Sequence, residues 1–142
     1  MRRIGPAQMM TAVDTSALRA IILEEPDWQD IAPLIATASD VFIRAATLTE
    51  TLIVTQVKRG ARARSLVNHA MQPSRFEVVT VGTAMTQLAY DAFEIYGKDL
   101  GHAAQLNFCD TFSYALAKIK NVPLRFKGTD FSKTDVQLAV LA

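Results

Sequence analysis

The sequence has little that would place the protein in an oxidising compartment or a membrane. Cys109 is the only cysteine among 142 residues, which excludes an internal disulfide and a cysteine-built zinc site and favours a reducing cytosol. No apolar run approaches the about 20 residues needed to cross a bilayer. The start, "MRRIGPAQMM", has arginines but no apolar core of a signal peptide. We therefore expect a cytoplasmic protein without a membrane partner.

Neither sign of charge is in excess. The formal net charge is +1, so no strong overall field draws the chain to nucleic acid, and any such contact must come from local patches. Apolar residues, in contrast, make up 50% of the chain, enough for one domain with a real core and too many for disorder. Because Met9 and Met10 offer alternative starts, we expect residues 1–9 to be an N-terminal extension and residues 10–142 a single domain.

Short apolar segments alternate with helical ones along the chain. This alternation predicts crossover units and an α/β fold with a short, mainly parallel central sheet whose two faces are both covered. Pro33 should disturb or split the second helix. The predicted strands are residues 11–14, 40–44, 75–81, 122–126 and 135–140. The predicted helices are residues 15–25, 26–38, 45–59, 61–71, 82–97 and 107–120.

Asp14 stands where the first strand gives way to a helix, in "TAVDTSAL". In parallel α/β sheets the ligand crevice lies beyond the carboxyl ends of the strands, so Asp14 is expected at that crevice. Thr15 or Ser16 is available to cap the helix.

Glu50 is the most informative acid. At about 100° per residue its direction in the helix falls among apolar side chains, while the opposite arc is polar. A carboxylate in an apolar stripe is costly unless it is paired or bound to a cation. A glutamate that is half-exposed at the stripe's margin, or one satisfied by a hydrogen bond, is the equally weighted alternative. The apolar side carries Ala46, Ile53, Val54 and Val57, and the polar arc Thr47, Thr51, Thr55 and Lys58.

Three further acids lie at element edges, each with an ordinary explanation. Asp110 opens the helix "NFCDTFSYALAKIK", where Asn107 as cap and an acid three residues later also suit the helix dipole. Asp130 follows the strand "VPLRF" in a glycine-containing turn. Asp135, in "SKTDV", is another candidate, although it would equally flank the last strand.

The joint placement of four acids, Asp14, Glu50, Asp110 and Asp130, is harder to explain structurally, because all four could converge on one crevice. Carboxylates crowded in one crevice repel each other and take up protons unless a counter-ion is present. Oxygen-only ligation suits Mg²⁺ or Mn²⁺, which also bind phosphate. Phosphodiester hydrolysis uses such sites: one ion generates hydroxide, and two ions about 3.5–4 Å apart clamp the attacking and leaving oxygens.

Four segments, in order, resemble the PIN-domain ribonuclease toxins of the VapC type: "VDTSAL", "AATLTE", "LNFCDTFSYALAK" and "PLRFKGTDFSKTDV". They span roughly residues 10 to 138, almost the whole chain. The resemblance implies a three-layer α/β/α PIN domain and RNA cleavage dependent on Mg²⁺ or Mn²⁺. It also implies a homodimer that is neutralised by a cognate antitoxin.

The resemblance also assigns roles to residues. It puts the catalytic, metal-binding acids at Asp14, Glu50, Asp110 and Asp130, and supporting roles at Ser16 and Asn107. Two positions depart from the family pattern: Cys109 replaces a common glycine, and Thr129 stands where an acid is frequent. The second departure leaves open whether Asp130 or Asp135 supplies the fourth carboxylate.

Basic and apolar residues near these segments suggest partners. We expect RNA contacts among the basic residues of the last quarter of the chain: Lys118, Arg125, Lys127 and Lys133. Trp28 and its apolar neighbours in the early helices are candidates for a groove that holds an antitoxin helix.

Two other functions fit parts of the pattern. A signalling receiver also gathers acids around Mg²⁺ and phosphorylates one of them, but its acceptor should end a central strand, and "RFEVVTVGT" ends in Gly82 and Thr83. A catalytically inactive module that only binds an antitoxin is disfavoured because all four acids are retained.

Overall fold

The computed structural model describes residues 9–136. Its strands are β1 (Thr11–Val13), β2 (Asp40–Arg44), β3 (Arg75–Val79) and β4 (Leu124–Arg125). Its helices are α1 (Thr15–Ile22), α2 (Trp28–Ala36), α3 (Ala45–Arg59), α4 (Ala63–Met71), α5 (Thr83–Tyr96) and α6 (Phe108–Lys120), with 3-10 turns at Gly60–Arg62 and Phe131–Lys133. Among the described residues, no helix is long and apolar enough to span a membrane.

The four strands form one parallel sheet in the order β3-β2-β1-β4, so the predicted parallel sheet is confirmed. Successive strand residues point to opposite faces, which gives the sheet two cores. On one face Ala12 and Phe42 pack with residues of α5 and α6. On the other face Val13 and Val41 pack with residues of α1 and α2. The result is the expected three-layer α/β/α arrangement, with β1 and β2 in the middle.

β3 corrects the expectation that every strand is covered on both faces. It is an edge strand, none of its residues is fully buried, and Val78 is largely exposed. The predicted strand also ran to residue 81, whereas β3 ends at Val79. An apolar run therefore marked a strand correctly but not its burial.

The first two helices differ from prediction at their ends. α1 stops at Ile22, because Glu24 adopts a left-handed conformation (φ 51°). α2 begins at Trp28 after a left-handed Asp27 (φ 69°) and not at Pro26. It continues through Pro33 without a break, so the predicted disturbance is wrong. Pro33 is exposed, where water can replace the missing N–H donor.

The faces of α3 are the reverse of those predicted. Thr47, Thr51 and Thr55 are at most 1% exposed, whereas Ile53 is 59% and Val57 77% exposed. The threonine hydroxyls can be buried because Thr51 donates to the Thr47 carbonyl (2.8 Å) and Thr55 to the Thr51 carbonyl (2.7 Å). Glu50 is half-buried beside this threonine face.

The chain ends only partly within the described range. Asp135 and Val136, the start of the predicted last strand, form a bend. Residues 137–140 of that strand, and most of the predicted extension at residues 1–9, lie outside the described residues.

Candidate active site

Asp14 is the N-cap of α1, which corrects the expectation that Thr15 or Ser16 caps this helix. Its Oδ2 accepts from the Ser16 amide (3.1 Å) and the Ser16 hydroxyl (2.7 Å), and its Oδ1 from the hydroxyl of Ser113 (2.5 Å). The side chain is nearly buried, so these donors replace water. A carboxylate thus stands between strand and helix because it completes the helix start and projects toward α6.

Ser16 also connects Asp14 to the segment after β4. Its hydroxyl oxygen accepts from the Lys127 amide (3.0 Å), and the Asp14 amide donates to the Arg125 carbonyl (3.0 Å). The predicted supporting position of Ser16 therefore has a structural basis, as its hydroxyl bridges the ends of β1 and β4.

Glu50 reaches the same place from α3. Its Oε2 accepts from the hydroxyl of Thr15 at 3.0 Å, and Thr15 directly follows Asp14. The carboxylate is held by a hydrogen bond at the margin of the helix face, and not within an apolar stripe. Sequence reasoning did not anticipate Thr15 as its partner, since the relevant packing of α3 against α1 is not local.

Asp110 forms the predicted capping box with Asn107. The Asp110 amide donates to Asn107 Oδ1 (2.9 Å), and the Asn107 amide donates to Asp110 Oδ2 (3.0 Å). Burial, together with the charges of Asp14, Asp130 and Glu50, raises the pKa of Asp110 to about 6, against the opposing hydrogen bond from the Asn107 amide. Acids from three other segments of the chain therefore act on Asp110.

We call these four residues, Asp14, Glu50, Asp110 and Asp130, the acid cluster. Asp130 is exposed in the turn after β4 and joins the cluster through its effect on Asp110. Asp135 lies elsewhere: it accepts from the Tyr114 hydroxyl and pairs with Lys118 (3.0 Å). These contacts, led by Tyr114, lower the pKa of Asp135. Of the two candidates, the structure brings Asp130 to the other acids.

Arg44 is a member of this neighbourhood that sequence reasoning missed. It ends β2, is only 3% exposed, and donates through Nη2 to the Cys109 carbonyl (3.2 Å) and the Ser113 hydroxyl (3.3 Å). Burial lowers the pKa of Arg44, and Asp14, Glu50 and Asp110 oppose that shift. A charged residue that closes the hydrophobic strand "DVFIR" was the available signal.

The acid cluster has the donor chemistry of a site for a hard divalent cation. Its candidate ligands are all carboxylate oxygens, and burial followed by the neighbouring carboxylates raises the pKa of Asp110. Within residues 9–136, no three His, Cys, Asp or Glu side chains stand close enough together to hold a metal ion as they are. The described residues therefore supply the ligand types, but their carboxylates are too far apart to form a coordination shell as they stand.

Of the lysines expected to contact RNA, two form ion pairs with acids of the chain and the third is exposed. Lys133 is exposed, with its Nζ 3.5 Å from the Ala103 carbonyl. Lys127 follows the site directly, although its Nζ pairs with Glu25 at 3.1 Å. Lys118 is engaged with Asp135.

Arg125 corrects the prediction for this set. The side chain is 6% exposed, and its Nε and Nη1 are buried without a hydrogen-bond partner. A guanidinium that is buried cannot contact an RNA backbone, so we remove Arg125 from the proposed contacts.

A comparison with known families decides the class of the protein. The PIN domain model matches residues 11–137. The chain belongs to the PIN-domain family. This membership favours the nuclease hypothesis over a receiver, and the four-stranded parallel sheet with helices on both faces agrees with it.

Curated PIN-domain relatives are similar over nearly their whole length. Ribonuclease VapC28 of Mycobacterium tuberculosis is 37% identical over 128 residues, covering 90% of this chain and 96% of the relative. Ribonuclease VapC42 of the same species is 32% identical over 127 residues, covering 89% and 97%.

Solved structures agree on the fold. The sarcin–ricin loop cleaving toxin VapC20 of Mycobacterium tuberculosis superposes with a TM-score of 0.69 at 20% identity, covering 89% of this chain and 95% of that chain. VapBC2 from Rickettsia felis, solved with a DNA fragment from its promoter, gives a TM-score of 0.68 at 16% identity, with coverage of 92% and 96%.

Proposed function

We propose that this PIN-domain protein is a metal-dependent endoribonuclease that acts as the toxin of a toxin–antitoxin pair. The observation that carries the proposal is the acid cluster, in which Asp14, Glu50 and Asp130, from three other segments of the chain, lie near enough to Asp110 to raise its pKa. The ribonuclease relatives support the same activity. An RNA substrate and a single free thiol favour action in the cytoplasm.

Mg²⁺ or Mn²⁺ would be held by the acid cluster, with Asp14, Glu50, Asp110 and Asp130 as the proposed ligands. When bound, the ion would supply an activated water and stabilise negative charge on the phosphoryl oxygens. The protein's own task is orientation. Ser16 and Ser113 hold the two oxygens of Asp14, Thr15 holds Glu50, and Asn107 holds Asp110.

RNA binding is assigned to the exposed basic side chains beside the cluster. Lys133 is exposed and would exchange its contact with the Ala103 carbonyl for a phosphate, and Lys127 would exchange its pairing with Glu25 for one. Lys118 already pairs with Asp135 and is kept as a third, weaker contact. Affinity should fall with salt because such contacts release counter-ions.

The antitoxin is proposed to occupy the groove between α1, α2 and α4. This groove has a volume of about 350 Å³ and includes Trp28 and Leu66 among mostly apolar lining residues. An amphipathic helix is the partner that such a groove suits. Replacing Trp28 with serine should weaken binding of the purified cognate antitoxin in calorimetry, and unchanged affinity would place the antitoxin elsewhere.

A homodimer is proposed through α5 and α6. Tyr90 and Phe108 are largely exposed there, beside an apolar cleft of about 440 Å³ that Phe93 and Phe112 also line. Phe108 to serine should shift the protein toward a monomer in sedimentation equilibrium. A wild-type protein that is monomeric at micromolar concentration would contradict the dimer.

RNA cleavage by the purified protein tests the main proposal. We expect cleavage with Mg²⁺ or Mn²⁺ that a chelator and Asp14→Asn both abolish, and we expect Asp14→Asn to relieve growth arrest on expression. Asp91→Asn, the same change on an exposed face of α5, is the control and should cleave normally. Cleavage that persists in Asp14→Asn would remove Asp14 from the site.

A further inference from the structure

Arg44 brings a positive charge into the acid cluster. It is the last residue of β2, and Asp14 follows the neighbouring β1, so both lie at the carboxyl edge of the sheet. Its side chain is buried, and its Nε has no hydrogen-bond partner. A buried arginine with unmet donors is costly, and its environment must offset that cost.

The contacts of Arg44 lead to the acids through α6. Its Nη2 donates to the Cys109 carbonyl and to Ser113 Oγ, and the Ser113 hydroxyl in turn donates to Asp14. The guanidinium carbon lies 5.6 Å from the centre of the Phe112 ring. The side chain is therefore fixed against the first turns of α6, beside the carboxylates.

Several acids interact electrostatically with the guanidinium of Arg44. Asp14, Glu50 and Asp110 all act on its guanidinium. Within residues 9–136 the ion pairs closer than 4 Å do not include Arg44, so it is not committed to one carboxylate. A cation in this position attracts the whole cluster at once, as a divalent ion would.

We propose that Arg44 is a built-in counter-ion of the acid cluster. It keeps the carboxylates together when no divalent ion is bound, and it opposes the binding of that ion. The proposal rests on the proposed metal site and concerns a residue of this chain to which the resemblance gave no role. Arg44 is a positioning residue here, since it touches Ser113 and not a reacting atom.

The direction in which metal affinity changes when Arg44 is replaced distinguishes this role from a purely structural one. If Arg44 only supports the fold, removing it should loosen the site and weaken metal binding. If it is a counter-ion, removing its charge should tighten metal binding, because the ion no longer meets a like charge. The same removal should destabilise the metal-free protein, in which the acids then repel.

Arg125 provides a matched control. It also ends a strand, is buried, and has unpartnered nitrogens, but burial alone lowers its pKa, with no contribution from an acid. Arg125→Met therefore removes a buried guanidinium without changing the charge of the cluster.

The experiment measures Mn²⁺ affinity by calorimetry and thermal unfolding with chelator or Mn²⁺. It compares the wild type with Arg44→Met, Arg44→Gln, Arg44→Lys and Arg125→Met. Gln retains a donor for Ser113 and Cys109 while removing the charge, and Lys retains the charge. We expect Arg44→Met and Arg44→Gln to bind Mn²⁺ at least about tenfold more tightly than the wild type, or about 1.4 kcal/mol. They should also gain more thermal stability from Mn²⁺, while Arg44→Lys and Arg125→Met bind as the wild type does.

Each outcome is decisive. A neutral variant that folds only with Mn²⁺ supports the proposal. The proposal is overturned if the neutral variants bind Mn²⁺ as the wild type does or more weakly. It is also overturned if the neutral variants fold neither with chelator nor with Mn²⁺, while Arg44→Lys folds and gains no stability from Mn²⁺. In those cases a wild type that still binds Mn²⁺ and cleaves RNA keeps the proposed function. Absence of Mn²⁺ binding in every protein overturns the metal site as well.

Discussion

Two sets of acids in this protein have opposite surroundings. The acid cluster gathers carboxylates near each other, and the pKa of Asp110 rises to about 6. Glu25 instead lies between Arg19 (2.8 Å) and Lys127 (3.1 Å); burial raises its pKa, but the two cations outweigh that and lower it overall. Asp135 is likewise held by Tyr114 and Lys118, which lower its pKa.

We interpret the difference as one between acids that stabilise the fold and the acids of the proposed metal site. Glu25 and Asp135 obtain their cations from the chain itself, so folding satisfies them. The acid cluster obtains only part of its compensation from Arg44 and keeps an excess of negative charge. Such uncompensated clusters are typical of functional sites.

The largest effect is expected when the same Glu→Gln substitution is made in the acid cluster and in the paired acids. Glu50→Gln should lower RNA cleavage by more than about 100-fold, because loss of a metal ligand should cost more than loss of a supporting residue. Glu25→Gln should leave the rate within about threefold, since the ion pairs of Glu25 are partly exposed and such pairs contribute little. Single-turnover cleavage with Mg²⁺ measures both. Equal losses in the two variants would remove the distinction.

The second effect concerns the hydroxyl that holds Asp14. Ser113→Ala should lower cleavage by about 10- to 100-fold, the usual cost of losing a partner of a metal ligand, because Asp14 Oδ1 loses its donor. Ser65→Ala, the same change on the exposed surface of α4, is the control. Wild-type cleavage by Ser113→Ala would show that Asp14 needs no support from α6.

The third effect is a gain in stability. Because the pKa of Asp110 is raised from its ordinary 3.8 to about 6, its stabilising contribution is complete below 3.8 and is lost as pH rises through 6. Asp110→Asn should therefore stabilise the metal-free protein by roughly 1 kcal/mol at pH 8, after discounting for its half-exposed position.

Urea unfolding with chelator at pH 8 and pH 5 measures this gain, which should shrink at the lower pH. Asp91→Asn, on the exposed surface of α5, is the control. A destabilised Asp110→Asn at pH 8 would mean that the capping box outweighs the repulsion.

The smallest effect belongs to the paired acids. Asp135→Asn should cost about 0.5 kcal/mol or less at neutral pH, because its pairing with Lys118 is exposed. The lowered pKa of Asp135 means that this contribution is present above its ordinary pKa and is lost as the pH falls through the folded value. Urea unfolding at low and high salt tests it. Cleavage should be unchanged, and a cleavage-dead Asp135→Asn would reassign the fourth carboxylate to Asp135.

Local patterns predicted much of the fold. β1, β2 and α3 lie close to where their apolar runs and the stop at Gly60 put them, and Asn107 caps α6 as its spacing with Asp110 indicated. Each of these features depends on residues a few positions apart. The sheet order, in contrast, depends on contacts between distant segments and was not predicted.

The errors have physical causes. α3 was assigned the wrong face because hydropathy treats threonine as polar, although its hydroxyl can bond to its own helix. Arg125 was expected to contact RNA and Arg44 was given no role, whereas both are buried. Ser113 was not singled out, because its meeting with Asp14 joins residues 99 positions apart.

The bridge formed by Ser16 has a mechanical consequence. Because one hydroxyl both donates to Asp14 and accepts from the backbone of Lys127, the start of the chain and its last quarter are coupled within two hydrogen bonds. Any force that displaces the "KGTD" turn is transmitted to the carboxylate at the end of the first strand.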